Sequence, residues 1–177
     1  MQVGRRMEQN VKTEKRMSAE TKDLSFQIRK AQASDWEPAM ELAFRVFLKY
    51  EAMEYGPEGI KSFSEFVSDE TLKKLFLQGN YLLFVAVEEE NIIGLISLRS
   101  GNHISLLFVD SDYHRCGVGT SLIKYLQSYL LMHTRHQKMT VNAAPYGIPF
   151  YHKLGFKDTG YETKKDGIIY TPMEFYL

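Results

Sequence analysis

His114-Arg115-Cys116-Gly117-Val118-Gly119-Thr120 joins a permanent cation to two glycines two positions apart, a combination suited to holding an anion. From Val118 onward apolar residues recur at three- and four-residue steps (Val118, Leu122, Tyr125, Leu126, Tyr129, Leu130), the period of a helix with one buried face. The glycines therefore stand where a helix begins. First-turn N–H groups have no partner inside the helix, and the helix dipole adds positive character there. Gly117 and Gly119 carry no Cβ to keep a phosphate from those donors, and Arg115 adds charge beside them. A pyrophosphate suits this arrangement.

Two other phosphate motifs fail on the same residues. A dinucleotide fingerprint needs a third glycine, where this chain has Leu122, and an acidic residue about 20 positions on. The neighbourhood there is Thr134-Arg135-His136-Gln137-Lys138. The nucleoside-triphosphate loop needs Gly-Lys-Ser/Thr, a tripeptide that does not occur in the chain.

The loop needs a frame, and the sequence supplies one. Ile104, Leu106, Leu107, Phe108 and Val109 read as a strand, joined to the loop by the polar Asp110-Ser111-Asp112-Tyr113. Upstream, Leu24 to Lys30 alternates as a first strand. Ser34-Asp35-Trp36-Glu37 reads as a capping box ahead of a helix that runs to Tyr50. Residues 51–57 break that helix, and a second helical region from Glu58 to Gln78 divides at a fresh N-cap, Ser68-Asp69. Tyr81 to Glu88 and Ile92 to Ser100 read as a hairpin. After the long helix ending near His133 come a strand, Lys138 to Ala143, and a short helix, Pro149 to Leu154, closed by Gly155. Phe156 to Thr163 and Ile168 to Tyr176 read as a closing hairpin turning at Asp166-Gly167. The order is β-α-α-β-β-β-α-β-α-β-β: one mixed α/β domain over residues 24–177, behind a polar extension over 1–23 read as a solvated tail.

Composition narrows the class. The chain has 177 residues, 44% of them hydrophobic, with net charge +0, enough for one well-buried core. That balance argues against nucleic-acid binding, which normally needs a basic face. One cysteine excludes an internal disulfide. The longest apolar run, Tyr81 to Val87, is too short to span a bilayer, and the first residues have no apolar stretch of a secretory signal. A cytoplasmic protein away from membranes is expected, as monomer or homodimer. His133 and His136 form half a metal site that no carboxylate or cysteine completes, so no metal is expected.

The strand followed by YHRCGVGTSLI resembles motif A of the GNAT superfamily of N-acetyltransferases, Arg/Gln-x-x-Gly-x-Gly/Ala. FYHKLGF, Phe150 to Phe156, resembles its Tyr-x-x-x-Gly-Phe segment, in the usual order. His114 departs from the pattern by occupying the Arg/Gln position. The resemblance implies the GNAT fold, a mixed sheet of about seven strands flanked by about four helices, and acetyl-CoA as co-substrate. It places Leu107, Phe108 and Val109 along the pantetheine arm, where the strand separates from its neighbour at a bulge. Arg115, Cys116, Gly117, Val118, Gly119 and Thr120 wrap the pyrophosphate, with Cys116 as a loop-packing residue, and Asn142 stands on the next strand.

Acetyl transfer from a thioester to an amine requires three services. A primary amine has a pKa near 10.4 and must lose a proton; the tetrahedral oxyanion needs a donor, which the Val109 backbone N–H can provide; the departing thiolate benefits from an acid. The resemblance assigns Tyr151 as the acid. His103 occupies the strand position of the catalytic glutamate of histone-acetylating members, which makes it the candidate base. Glu51 and Glu54, in the region that faces the acceptor in the family, are further candidates and suit a cationic acceptor. Met139 and Ala144 replace the glutamate and asparagine of ribosomal-protein acetylating members. The expected activity is transfer of an acetyl group to a primary amine, of a small molecule or of a protein. The alternative is an acyl-CoA-binding sensor with little turnover.

Overall fold

The structure, a computed structural model, describes residues 25–177. The extension read over 1–23, and Leu24 at the head of the first expected strand, lie outside the described residues. The elements in order are β1 (Gln27–Lys30), α1 (Trp36–Tyr50), α2 (Ala52–Val67), α3 (Glu70–Leu77), β2 (Leu82–Glu88), β3 (Asn91–Arg99), β4 (His103–Val109), α4 (Val118–His133), β5 (Lys138–Ala143), α5 (Ile148–Lys153), β6 (Lys157–Asp158), β7 (Thr163–Lys165) and β8 (Ile168–Tyr176). The sheet runs β1-β2-β3-β4-β5-β8-β6, with β7 also paired to β8. Every pairing is antiparallel except β4 with β5.

Three local readings are corrected. Residues 156–163 do not form one hairpin arm: β6 and β7 are separate short strands on β8, tied between them by Thr159 N–H donating to Pro172 O at 2.8 Å. The first helix does end at Tyr50, but the break at 51–57 is narrower than read: α2 already starts at Ala52 and kinks at Gly56 (φ 70°, ψ −172°), where Pro57 starts the next helical stretch. The α1 start also differs. Asp35 ends a short 3₁₀ turn, Ala33–Asp35, and its carboxylate accepts from the Gln32 N–H (2.6 Å) and from Arg29 (2.6 and 3.1 Å). Arg29 holds the buried Asp35 carboxyl below its usual range. The Asp69 cap of α3 is present and accepts from Thr71 N–H at 2.7 Å.

Alternation along the strands sends side chains to two cores. Phe84, Ala86, Ile93 and Ile96 meet Val118, Leu122, Ile123, Leu126 and Leu130 of α4 on one face. Leu83, Val85 and Leu95 meet α1 and Tyr55 of α2 on the other. At roughly 25 cal/mol per Å² of apolar surface removed from water, this two-sided burial is the main force fixing the sheet between its helices. No helix among the described residues is long and apolar enough to cross a membrane.

β4 obeys that alternation only in part. In register with β3, Ser97 faces Leu106 while Leu98 faces Ile104, which leaves Ser105 as an extra residue. This bulge reverses the parity of the strand. Ile104 faces the α4 core, whereas Leu106 and Phe108 face the α1 and α2 core. The same point ends contact with β5, because only His103 with Thr140 and Ile104 with Val141 are paired.

Candidate active site

Beyond the Ser105 bulge, β4 keeps its β3 partner but has no strand on the other side among the described residues, while β5 continues against β8 through Ala143. Asp110 N–H donates to Ile93 O at 2.9 Å. In an antiparallel ladder, residues directed to the partner strand alternate with residues directed away. Phe108 and Leu106 therefore bond to β3, and the N–H and C=O of Leu107 and Val109 face the gap. Leu107 and Val109 are half-buried and Phe108 is buried. On the β5 lip, the exposed Asn142 follows the last residue paired to β4.

At the end of β4 the chain turns into α4. Gly117 is the N-cap in the left-handed region (φ 84°, ψ −4°), and Arg115 is also left-handed (φ 62°). Backbone of this kind turns successive N–H groups toward one concavity. Nothing within 4 Å would meet a Cβ at Gly117, so its backbone conformation requires glycine. At Gly119 the reason is spatial, because a Cβ would lie 3.3 Å from Phe150 Cζ and 3.7 Å from Val109 Cγ2. The first turn of α4 holds no acidic residue to oppose an anion. Val118 is buried under the turn and Thr120 half-buried. Cys116, read as a loop-packing residue, is instead exposed, its thiol reaching only the His114 carbonyl.

Glu51 and Tyr151 converge from α1–α2 and α5. Burial, opposed by a hydrogen bond from Tyr55 and helped by the charge of Glu54, pushes the Glu51 carboxyl up to about 7. Tyr151 is buried, and that burial together with the charge of Glu51 raises its phenol. The ring is wedged edge-on between Phe150 and Phe156, with centroids at 5.3 and 5.2 Å. Its hydroxyl makes no hydrogen bond among the described residues and is not sealed from solvent. The two groups are thus a protonated, unshared phenol and a carboxyl that titrates near neutrality, close enough for the charge of one to act on the other.

Three aromatic rings, of His114, Tyr50 and Tyr146, join these parts by contacts that the sequence did not show. The His114 ring donates from Nε2 to Val109 O at 2.9 Å and lies 4.9 Å from Tyr50. Tyr50 in turn stacks on Tyr146 at 5.1 Å. The stack links the β4 lip, the residue before Glu51, and the turn after β5. Tyr146, flanked by Pro145 and Gly147 in a turn, was a readable signal; contact between distant turns was not.

His103 lies apart. It stands four residues, about 13 Å of strand, before Leu107. Its Nδ1 lies 2.8 Å from Thr140 Oγ1 and its Nε2 3.3 Å from Arg99. Burial, then the charge of Arg99, lowers its pKa to about 4. Glu54 is exposed on the first turn of α2. No group of three potential metal ligands occurs among the described residues.

A split between parallel strands, ending at an anion-accepting helix start, suits a ligand that is phosphate at one end, extended amide along its length and reactive at its far end. Residues 51–177 match the family model described as an acetyltransferase (GNAT) domain. The chain therefore belongs to the GNAT acetyltransferase family, and it is an acetyl-CoA-dependent enzyme of the N-acetyltransferase class. It is 27% identical over 133 residues to the uncharacterized N-acetyltransferase YafP of Escherichia coli K12, covering 75% of this chain and 82% of that protein. It is 37% identical over 81 residues to the peptidyl-lysine N-acetyltransferase YjaB of the same organism, covering 44% and 51%. Its fold is shared with the PaiA N-acetyltransferase of Thermoplasma acidophilum, solved in complex with coenzyme A, at a TM-score of 0.74 and 22% identity over 87% of this chain and 100% of that one.

Proposed function

We propose that the protein transfers an acetyl group from acetyl-CoA directly to a primary amine, of a small molecule or of a protein, in the cytoplasm. The observation that supports this reading is the β4–β5 gap, where β4 leaves backbone donors unpaired to a strand before the chain turns into the start of α4. Arg115 to Thr120 take the pyrophosphate through first-turn N–H groups. Leu107 and Val109 pair with the pantetheine amides, Phe108 supports them from the core, and Asn142 lines the opposite lip.

Glu51 and Glu54 receive the acceptor as an ammonium ion. Glu51 takes its proton, and the freed nitrogen attacks the thioester carbon. A single backbone N–H of β4 facing the gap at the thioester stabilises the oxyanion. As the C–S bond breaks, Tyr151 gives its proton to the sulfur, so the free thiol departs; the resulting phenolate takes the second proton from the newly acylated nitrogen, which becomes the amide, and Glu51 releases its own proton to solvent. Glu51 is favoured over His103 as the base because both His103 ring nitrogens are engaged. The name of YjaB makes a lysine side chain one acceptor to test.

Thermal-shift titration with acetyl-CoA, CoA and NAD is the test. A ligand at 100 times its Kd stabilises the fold by about 2.7 kcal/mol. A rise with acetyl-CoA and CoA but not NAD supports the reading, and thiol release in an amine screen then identifies the acceptor. No rise with either CoA species overturns it.

A further inference from the structure

We infer that His103 is a positioning residue: its bond to Thr140 fixes the vertex from which β4 and β5 diverge, and with it the width of the cofactor groove. The groove part of this inference rests on the function proposed above.

Two residue pairs are all that join β4 to β5. A bond between the two strands at this point bears directly on the angle at which they part. Arg99 is the register partner of His103 on β3, and its guanidinium, which only donates, faces His103 Nε2 at 3.3 Å. Nε2 therefore accepts, and Nδ1–H donates to Thr140 Oγ1 at 2.8 Å. The lowered pKa of the ring keeps that tautomer through the neutral range. Asn102 reinforces the joint: its Nδ2 donates to Lys138 O at 2.9 Å, and its backbone carbonyl accepts from Thr140 N–H at 3.1 Å. Arg99, His103 and Thr140 thus form one cross-link through three strands, two residues before the bulge at Ser105.

From that vertex the free part of β4, residues 105–109, extends roughly 17 Å. A rotation of roughly 5° there moves the far end by about 1.5 Å, more than the whole range of hydrogen-bond distances. Backbone pairing of an inserted ligand is sensitive to such a shift.

The test compares His103→Ala, Thr140→Val, the double variant and His103→Asn, whose side-chain amide still donates from near the Nδ1 position. Hydrogen exchange of the amides around Ile104 and Val141 is measured in the free protein, CoA affinity by calorimetry, and the pH dependence of kcat on an acceptor from the screen. Each single variant should speed exchange and weaken CoA binding by about 3–10-fold. The double variant should be no worse than either, and His103→Asn should stay within about twofold of wild type. The pH profile should keep its shape in all four. Additive losses, or unchanged exchange in His103→Ala, overturn the vertex role. A kcat collapse in both His103 variants with loss of the pH inflection makes His103 the base and overturns it too. Wild-type protein that binds no CoA defeats the proposed function and the groove claim together, while the exchange data still decide the vertex.

Discussion

Replacing Glu51 by glutamine preserves the size of the side chain and an acceptor for Tyr55 but removes the base proposed above. With the carboxyl pushed up to about 7, its ionised fraction rises from about one in eleven at pH 6 to about ten in eleven at pH 8. An acceptor with a pKa near 10.4 stays an ammonium ion throughout this range, so with such an amine kcat/KM should rise about tenfold between those values in the wild type. Glu51→Gln should lose about 10²–10⁴-fold in kcat/KM and show no inflection near pH 7, with CoA affinity unchanged. Stability should move the opposite way. Between the usual 4.5 and about 7 the folded protein retains a proton that the unfolded chain has lost, so stability falls as pH rises through that window. The accumulated cost above the window is bounded near 3 kcal/mol. Glutamine does not incur it, and the variant should be about 1–3 kcal/mol more stable than wild type at pH 8 and equal to it at pH 4. Thiol-release kinetics and urea melts at the two pH values read both effects. A variant within about threefold of wild-type rate, or one that keeps the inflection, refutes the reasoning.

Tyr151→Phe should lower kcat by about 10–100-fold while CoA still binds, read by thiol release and calorimetry; unchanged turnover removes Tyr151 as the acid, and absence of turnover even in wild type leaves the sensor alternative. Gly117→Ala should cost about 1–2 kcal/mol in a urea melt, because a left-handed residue gains a Cβ with no steric contact to blame, and should weaken CoA as the helix start distorts. Asp35→Asn should lose about 1 kcal/mol at pH 7 by removing the Arg29 partner. The Asp35 pKa is depressed in the fold, so its stabilisation is present above the unfolded value and lost as pH falls through the folded one. The difference between variant and wild type should therefore fade in acid.

Local chemistry wrote much of this protein into its sequence. The period change at Val118, the cap at Asp69, the strand Lys138–Ala143 and the helix stop at Gly155 depend on neighbours within a few positions, so they were readable from spacing. The turn at Gly117 was readable for the same reason, whereas the left-handed Arg115 beside it carries no such local signal. The opening of the sheet was not. Ile104, Leu106 and Phe108 alternate without interruption in the sequence, and only pairing with β3 makes Ser105 the extra residue that divides them between two cores. Ionisation also belongs to the tertiary structure. Burial raises the Glu51 carboxyl against the opposing hydrogen bond from Tyr55, and its charge acts through space on Tyr151, 100 positions away in sequence. His103 looked like a base because of its place on the strand, and its partners Arg99 and Thr140 come from the strands on either side. A sequence fixes what each residue can do; desolvation and a partner's charge, set by contacts between distant segments, decide which of those things it does.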